Sequence, residues 1–255
     1  MVLNLIFVFC FGLIFGSFMN VLIFRLGKKD GIFTGRSECP QCLARLHWYD
    51  LFPLFSYVQL RGRCRYCSTN ISKVYPVVEA TTGIIFTLLF FMRWPIIDLH
   101  FFIYGFLIFF LVFIFFYDSL YLIIPDKIVF PLIGFMLIYN FIFRIKDFEN
   151  LLLTGVFMSL FFATMYIISG GRWMGLGDAK LVFLLGLIFG YPIGFWVVVF
   201  SIWSAALAGI GMIIFKKASL KTALPFGAFL SVVSILFIIF EHEIQSQLQF
   251  INWIF

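Results

Sequence analysis

The sequence predicts an all-α polytopic membrane protein of about eight transmembrane helices, interrupted by one polar loop that carries four cysteines. Three observations support that fold class. Of the 255 residues, 63% are hydrophobic and only 12% charged, with a mean hydropathy of +1.09, outside the range of a water-soluble core. The apolar residues come in long runs cut by charges and by Pro/Gly clusters. The one long polar segment, residues 25–75, holds two C-x2-C pairs. The 39 phenylalanines carry no further message, because any large apolar side chain satisfies a lipid-facing position.

Residues 1–24 hold no charge and Arg25 follows them, the reverse of a cleavable secretory signal, in which the positive charges come first. They predict a retained first span with its N-terminus outside. After the polar loop, the same cutting gives spans at about 76–92, 101–117, 127–143, 151–169, 179–190, 192–215 and 223–240, a seven-helix core over 76–240, and a tail at 241–255. Several spans are shorter than the roughly 20 residues that cross a hydrocarbon core of about 30 Å, so local thinning or protein-lined polar ends are expected. GYPIG at 190–194 has two glycines and a proline, which predicts a turn between two helices in place of one long helix.

Alternating the sides of these spans puts 15 of the 18 cations on one face, leaving Arg93, Arg144 and Lys146 on the other. Cytoplasmic faces carry such an excess, so the cysteine loop is expected in the cytoplasm. The net charge of +6 then describes topology and contact with anionic lipid headgroups, and no nucleic-acid partner is inferred from it.

The pairs are Cys39 with Cys42 and Cys64 with Cys67, separated by 21 residues. Two closely spaced thiolate pairs fill a tetrahedral zinc site, and this spacing is close to the four-cysteine pattern. Two disulfides are the alternative, disfavoured in the cytoplasm, where thiols stay reduced. A loop of about 50 residues is too small for a core of its own, so the ion would supply folding free energy. Four sulfur ligands leave no open position, which makes the site structural. His47, beside Trp48, reads as a surface residue, and Cys10 as a small buried hydrophobe.

Of the 12 acidic residues, Glu79, Asp118, Asp126 and Asp178 lie inside or at the ends of apolar spans. Each costs roughly 2.5–3.5 kcal/mol there and so needs a reason. Asp118 ends one uncharged run and Asp178 opens another at the same face, so two carboxylates from different helices can meet. Such a pair shares one proton: the ionised member takes a proton from water as it attacks an amide, and the protonated member polarises the carbonyl. Gly175 and Gly177 would let a peptide backbone approach and let the loop take positive φ. An N-cap role is the alternative for Asp178, and a helix-start role is expected for Asp126. Lys180 either snorkels to the interface or biases the charge of the pair. Glu79 is either a structural hydrogen-bond partner or part of a second site.

Seven motifs in one order carry a family likeness: GSFMNVLIFRL (16–26), CPQC (39–42), PLFSYVQLRGRCRYC (53–67), ISKVYPVVEATTG (71–83), YDSLYLIIPDKIVFP (117–131), GLGDAKL (175–181) and LPFGAF (224–229). The chain resembles the bacterial type IV prepilin peptidases, the leader peptidase/N-methyltransferases among the GxGD membrane aspartyl proteases. The resemblance implies a multi-pass inner-membrane enzyme that removes the short basic leader of prepilins and pseudopilins after a glycine, on the cytoplasmic side. It implies N-methylation of the new terminus with S-adenosylmethionine, associated with the polar loop and the region around Glu79. Asp118 and Asp178 correspond to the catalytic aspartates. Pro225, Phe226 and Gly227 match a motif near the active site, although Ala228 stands where a second proline is common. Two rivals compete with this assignment: a proton-coupled transporter with a zinc-stabilised partner-binding loop, and a peptidase lacking methyl transfer. Against the transporter, both acids lie at one face and no pair of broken helices in repeated halves marks a midplane site.

Overall fold

The computed structural model describes residues 1–27, 36–215, 223–241 and 243. Lys28, Lys29, Lys216, Lys217 and Lys221 from the cation count, with Asp30, His242 and the tail from residue 244, lie outside the described residues. Among the described residues the regular structure is helical, apart from two isolated β-bridges. The helices are α1 (Val2–Arg25), α2 (Phe55–Gln59), α3 (Val74–Arg93), α4 (Leu99–Tyr121), α5 (Asp126–Phe143), α6 (Phe148–Ser169), α7 (Leu176–Phe189), α8 (Ile193–Ile214) and α9 (Phe226–Ile239), with a 3-10 turn at Trp48–Asp50. Six of them, α1, α3, α4, α5, α6 and α8, are long and apolar enough to cross a membrane. At 14 residues each, α7 and α9 rise only about 21 Å, so among the described residues six helices, against the expected eight, have the length and apolarity of a full span.

The chain folds as two compact units, Met1–Phe109 and Phe110–Phe255. Their boundary falls inside α4, so the polar loop and α3 belong with α1, a grouping that composition, with its breaks at residues 24, 75 and 240, does not follow.

In the first unit α1 and α3 run antiparallel at very close range. A Cβ on Gly12 would stand 2.7 Å from the Gly83 Cα, and one on Gly16 would stand 2.6 Å from the Glu79 Cα. Small residues allow such an approach between membrane helices, where packing and hydrogen bonds replace the hydrophobic drive. Asn20 adds a bond from Nδ2 to the Tyr75 carbonyl, 3.1 Å. Cys10, expected to be buried in α1, is exposed on its surface; in a lipid-facing position a small apolar side chain needs no cover.

In the second unit α7 packs against α5, α6, α8 and α9. Its buried residues, Ala179, Leu181, Val182, Leu184, Leu185, Gly186, Leu187 and Ile188, point in every direction around the axis, the pattern of a helix enclosed by protein. Gly186 meets the Gly155 backbone of α6. At the far end of α7, Asn140 Nδ2 donates to the Leu187 carbonyl (2.8 Å) and Arg144 to the Ile188 carbonyl (3.1 Å), satisfying acceptors that a helix terminus leaves open. Gly190, at φ 65°, then turns the chain into α8, as GYPIG predicts.

Candidate active site and metal centre

The two C-x2-C segments form matching knuckles. In the first, the Cys39 N–H donates to the Ala44 carbonyl (3.0 Å) and the Leu43 N–H to the Cys39 carbonyl (2.9 Å); in the second, Cys64 donates to Thr69 (2.8 Å) and Ser68 to Cys64 (2.9 Å). Leu43 and Ser68, each just after the second cysteine, take left-handed backbone at φ 57° and 58°, a conformation that non-glycine residues adopt only where the surroundings hold them.

The knuckles bring the four Sγ atoms within 4.8 Å of one another. Cys39 Sγ lies 3.9 Å from Cys67 Sγ. Metal–sulfur bonds of about 2.3 Å in a tetrahedron separate ligand sulfurs by roughly 3.8 Å, whereas a disulfide needs about 2.0 Å, so the four cysteines form a candidate metal site. The Cys42 backbone N–H holds the Cys39 thiol below its ordinary range, against the upward pull of burial. Hydrogen bonds from the Thr69 hydroxyl and backbone bring Cys67 down to about 6. Both favour the thiolate, the form that ligates metal, whereas Cys42, despite a hydrogen bond from the Ala44 N–H, is pushed up to about 11 by desolvation and by Cys67 and Cys39. His47 stays at the surface, stacked on Tyr49.

Glu79, 8% exposed in α3, accepts a hydrogen bond of 2.9 Å from the Leu54 N–H. Of the two expected roles, the geometry supplies the structural partner.

The second constellation lies in the other unit. Asp118, in the last turn of α4, is 5% exposed, and its Oδ2 accepts the Ala228 N–H at 3.0 Å. Asp178 is the third residue of α7; its Oδ2 accepts the Gly175 N–H at 3.1 Å. Because α7 begins at Leu176, Gly175 is the N-cap, and Asp178 serves the helix end from inside its first turn. One carboxylate oxygen meets the capping demand and the other stays available, so the two readings of Asp178 do not exclude each other.

Ile124, in the α4–α5 connection, links the two neighbourhoods. A Cβ on Gly177 would lie 3.0 Å from the Ile124 Cβ; one on Gly227 would lie 2.7 Å from its Cδ1 and 3.0 Å from the Asp118 Oδ2. Gly177 and Gly227 therefore sit where a side chain would crowd Ile124, whereas Gly175 has ordinary contacts only. The expected positive φ is absent, since Gly175 sits at φ −81° and Gly177 is not among the glycines with positive φ. Pro225 opens α9 as its N-cap, and Phe226 stacks on Phe162 with centroids 5.9 Å apart. Where a second proline is common, Ala228 supplies the N–H that Asp118 accepts; proline has none.

Lys180 neither snorkels freely nor turns to the aspartate pair. Its ammonium donates to both oxygens of Asp126 at 2.8 and 2.9 Å and lies 5.1 Å from the Phe130 ring centroid. The reason is the register of α7, which places Lys180 against the first turn of α5. Asp126 stands at that helix start, as expected, but with its carboxylate taken by Lys180. Sequence reasoning missed Ile124 and the Ala228 amide, because an aliphatic side chain and a backbone N–H leave no chemical signature.

Helices long enough to span, a clustered pair of cysteine knuckles and two acids at separate helix ends define a multi-pass membrane protein with a candidate metal centre and a candidate active site. Residues 10–93 match the bacterial peptidase A24 N-terminal domain and residues 105–214 the type IV leader peptidase family. A prepilin leader peptidase/N-methyltransferase of Klebsiella pneumoniae is 32% identical, over 72% of this chain and 85% of that protein. One from Stutzerimonas stutzeri is 29% identical over 96% and 95%, and one from Myxococcus xanthus 47% identical over 32% and 24%. The chain belongs to the type IV leader peptidase family. No solved structure matches it.

Proposed function

We propose that this protein is a prepilin leader peptidase and N-methyltransferase of the bacterial inner membrane, with the cysteine loop and the aspartate pair at the cytoplasmic face. Support comes from family membership, from relatives so named across nearly the whole chain, and from the excess of cations assigned to that side. The observation that supports the proteolytic chemistry is that Ile124 lies against both Gly177, next to Asp178, and Gly227, next to the Asp118 carboxylate.

In this reading the apolar helix of a prepilin lies in the bilayer while its basic leader stays in the cytoplasm, which brings the scissile bond to the membrane boundary. A helix must unwind locally before water can reach its backbone, and a glycine at the cleavage point eases that. Asp118 and Asp178 are the catalytic residues. One of them removes a proton from the attacking water while the other, protonated, donates to the carbonyl oxygen; as the tetrahedral diol collapses, the first passes the water's proton to the leaving amine and the second recovers a proton from the diol hydroxyl. Gly177 leaves room for Ile124, and the Gly175 N–H orients the Asp178 carboxylate. Pro225, Phe226 and Gly227 present the Ala228 N–H that orients Asp118, and Lys180 ties the Asp178 turn to α5.

Zinc is the metal assigned to Cys39, Cys42, Cys64 and Cys67; it closes the two knuckles into one fold and takes no part in cleavage. S-adenosylmethionine is the methyl donor, and the region around Glu79 remains the proposed location for that activity.

Purified protein incubated with a prepilin and S-adenosylmethionine, followed by mass spectrometry of the product, reads both activities at once. Leader removal with a gain of one methyl group is expected. Asp118→Asn or Asp178→Asn should abolish the cleavage while the protein still inserts, and cleavage persisting in either variant overturns the assignment.

A further inference from the structure

We infer that the segment Phe52–Val58, between the two knuckles of the cysteine loop, is embedded in the membrane interface and contacts lipid. The first observation is depth. Asn20 bonds the Tyr75 carbonyl, which sets the start of α3 level with Asn20 of α1, five residues short of Arg25. The 24 residues of α1 rise about 36 Å, so in a hydrocarbon core of about 30 Å its Arg25 end stands just outside. Asn20 lies about 7.5 Å nearer the bilayer centre than that end. Leu54 is held at this level or deeper, because its N–H is bound by Glu79, a residue packed against Gly16 whose side chain leans back towards the start of its helix.

The second observation is chemistry. Phe52, Phe55 and Val58 are 56%, 62% and 73% exposed, and the two rings meet edge to face at 6.1 Å. At that depth the medium around them is lipid. The backbone suits it, since unpaired amides are costly away from water. Ser56, Val58, Leu60, Arg61 and Gly62 all donate within the segment or its turn, Pro53 has no N–H, and Leu54 gives its own to Glu79. Arg61 and Arg63, both exposed, follow directly and suit anionic headgroups. A bilayer thus matches the patch in both apolarity and charge, and it commits Glu79 to holding an interfacial element in place.

The test uses full-length, zinc-loaded protein in phosphatidylethanolamine/phosphatidylglycerol liposomes. A nitroxide attached through a ketone-bearing phenylalanine analogue at position 52, 55 or 58 should collide with dissolved oxygen several-fold more often than with a water-soluble nickel chelate, as a label at the exposed Phe7 of α1 should. Greater access for the nickel chelate places the segment in water and overturns the inference. Shielding from both shows that protein, either a second copy or substrate, covers it, and overturns it equally. Unmodified protein gives an independent readout that needs no variant. Diazirine carried on a lipid acyl chain should label tryptic peptide 46–61 between Phe52 and Val58, and its failure to do so would also refute lipid contact.

Discussion

At the residue scale, the aspartate pair is held by features with little chemical character. Ile124 fits between Gly177 and Gly227, and close packing of this kind tolerates added atoms poorly. Gly227→Ala would push a methyl group into both Ile124 and the Asp118 carboxylate, so the initial rate of leader removal by the purified variant should fall about tenfold or more, a loss of roughly 1.4 kcal/mol in transition-state stabilisation. Adding Ile124→Ala, which removes the Cδ1 and Cγ1 atoms in the way, should restore part of that rate. The acids themselves were legible, because carboxylates at the ends of apolar runs demand a reason. Lys180 was legible only as a cation near the boundary. Its partner Asp126 lies 54 residues away, and a pairing across that distance depends on helix register that no local pattern encodes.

At the element scale, helix boundaries followed apolar runs closely. Asp126–Phe143 and Ile193–Ile214 match the expected 127–143 and 192–215 because charges and Pro/Gly clusters mark both ends. The start of α7 was misplaced by three residues, since GLGD reads as loop until the N–H of Gly175 is seen to be satisfied from Asp178. Within the cysteine loop, the internal ties were not legible at all. Asp50 accepts from Arg65 Nε (2.7 Å), the Tyr66 hydroxyl (3.1 Å) and the His47 N–H (3.1 Å), joining the 3-10 turn to the second knuckle. Desolvation acts upward on the Asp50 carboxyl, but the Arg65, His47 and Tyr66 bonds outweigh it and hold it below the ordinary carboxylate range. Desolvation and the same carboxylate push Tyr66 up to about 12. A carboxyl that titrates lower when folded contributes stability above its unfolded value of about 4 and loses it as the pH falls through the folded one. Hydrogen exchange over residues 36–70 should therefore be faster in Asp50→Asn than in the parent at pH 7, and the difference should vanish in acid.

At the scale of the whole molecule, the polytopic class was plain from hydropathy, whereas the division inside α4 was not, because a continuous apolar helix carries no compositional break. The four-cysteine centre was visible in spacing alone. It predicts one zinc ion per chain by elemental analysis, and a strong chelator should raise hydrogen exchange across residues 36–70 while leaving the helical circular dichroism of the spans nearly unchanged. A loop of this size would draw folding free energy from the proposed ion, while the membrane helices keep their own backbone bonds.

The enclosure of α7 has a further consequence. With its side chains buried all round and its last carbonyls held by Asn140 and Arg144, the helix bearing Asp178 presents almost no surface to acyl chains. Stretching or compressing the surrounding leaflets therefore has nothing to grip on this helix, and the geometry of the candidate site should stay constant across lipids of different chain length even as the outer spans tilt to follow them.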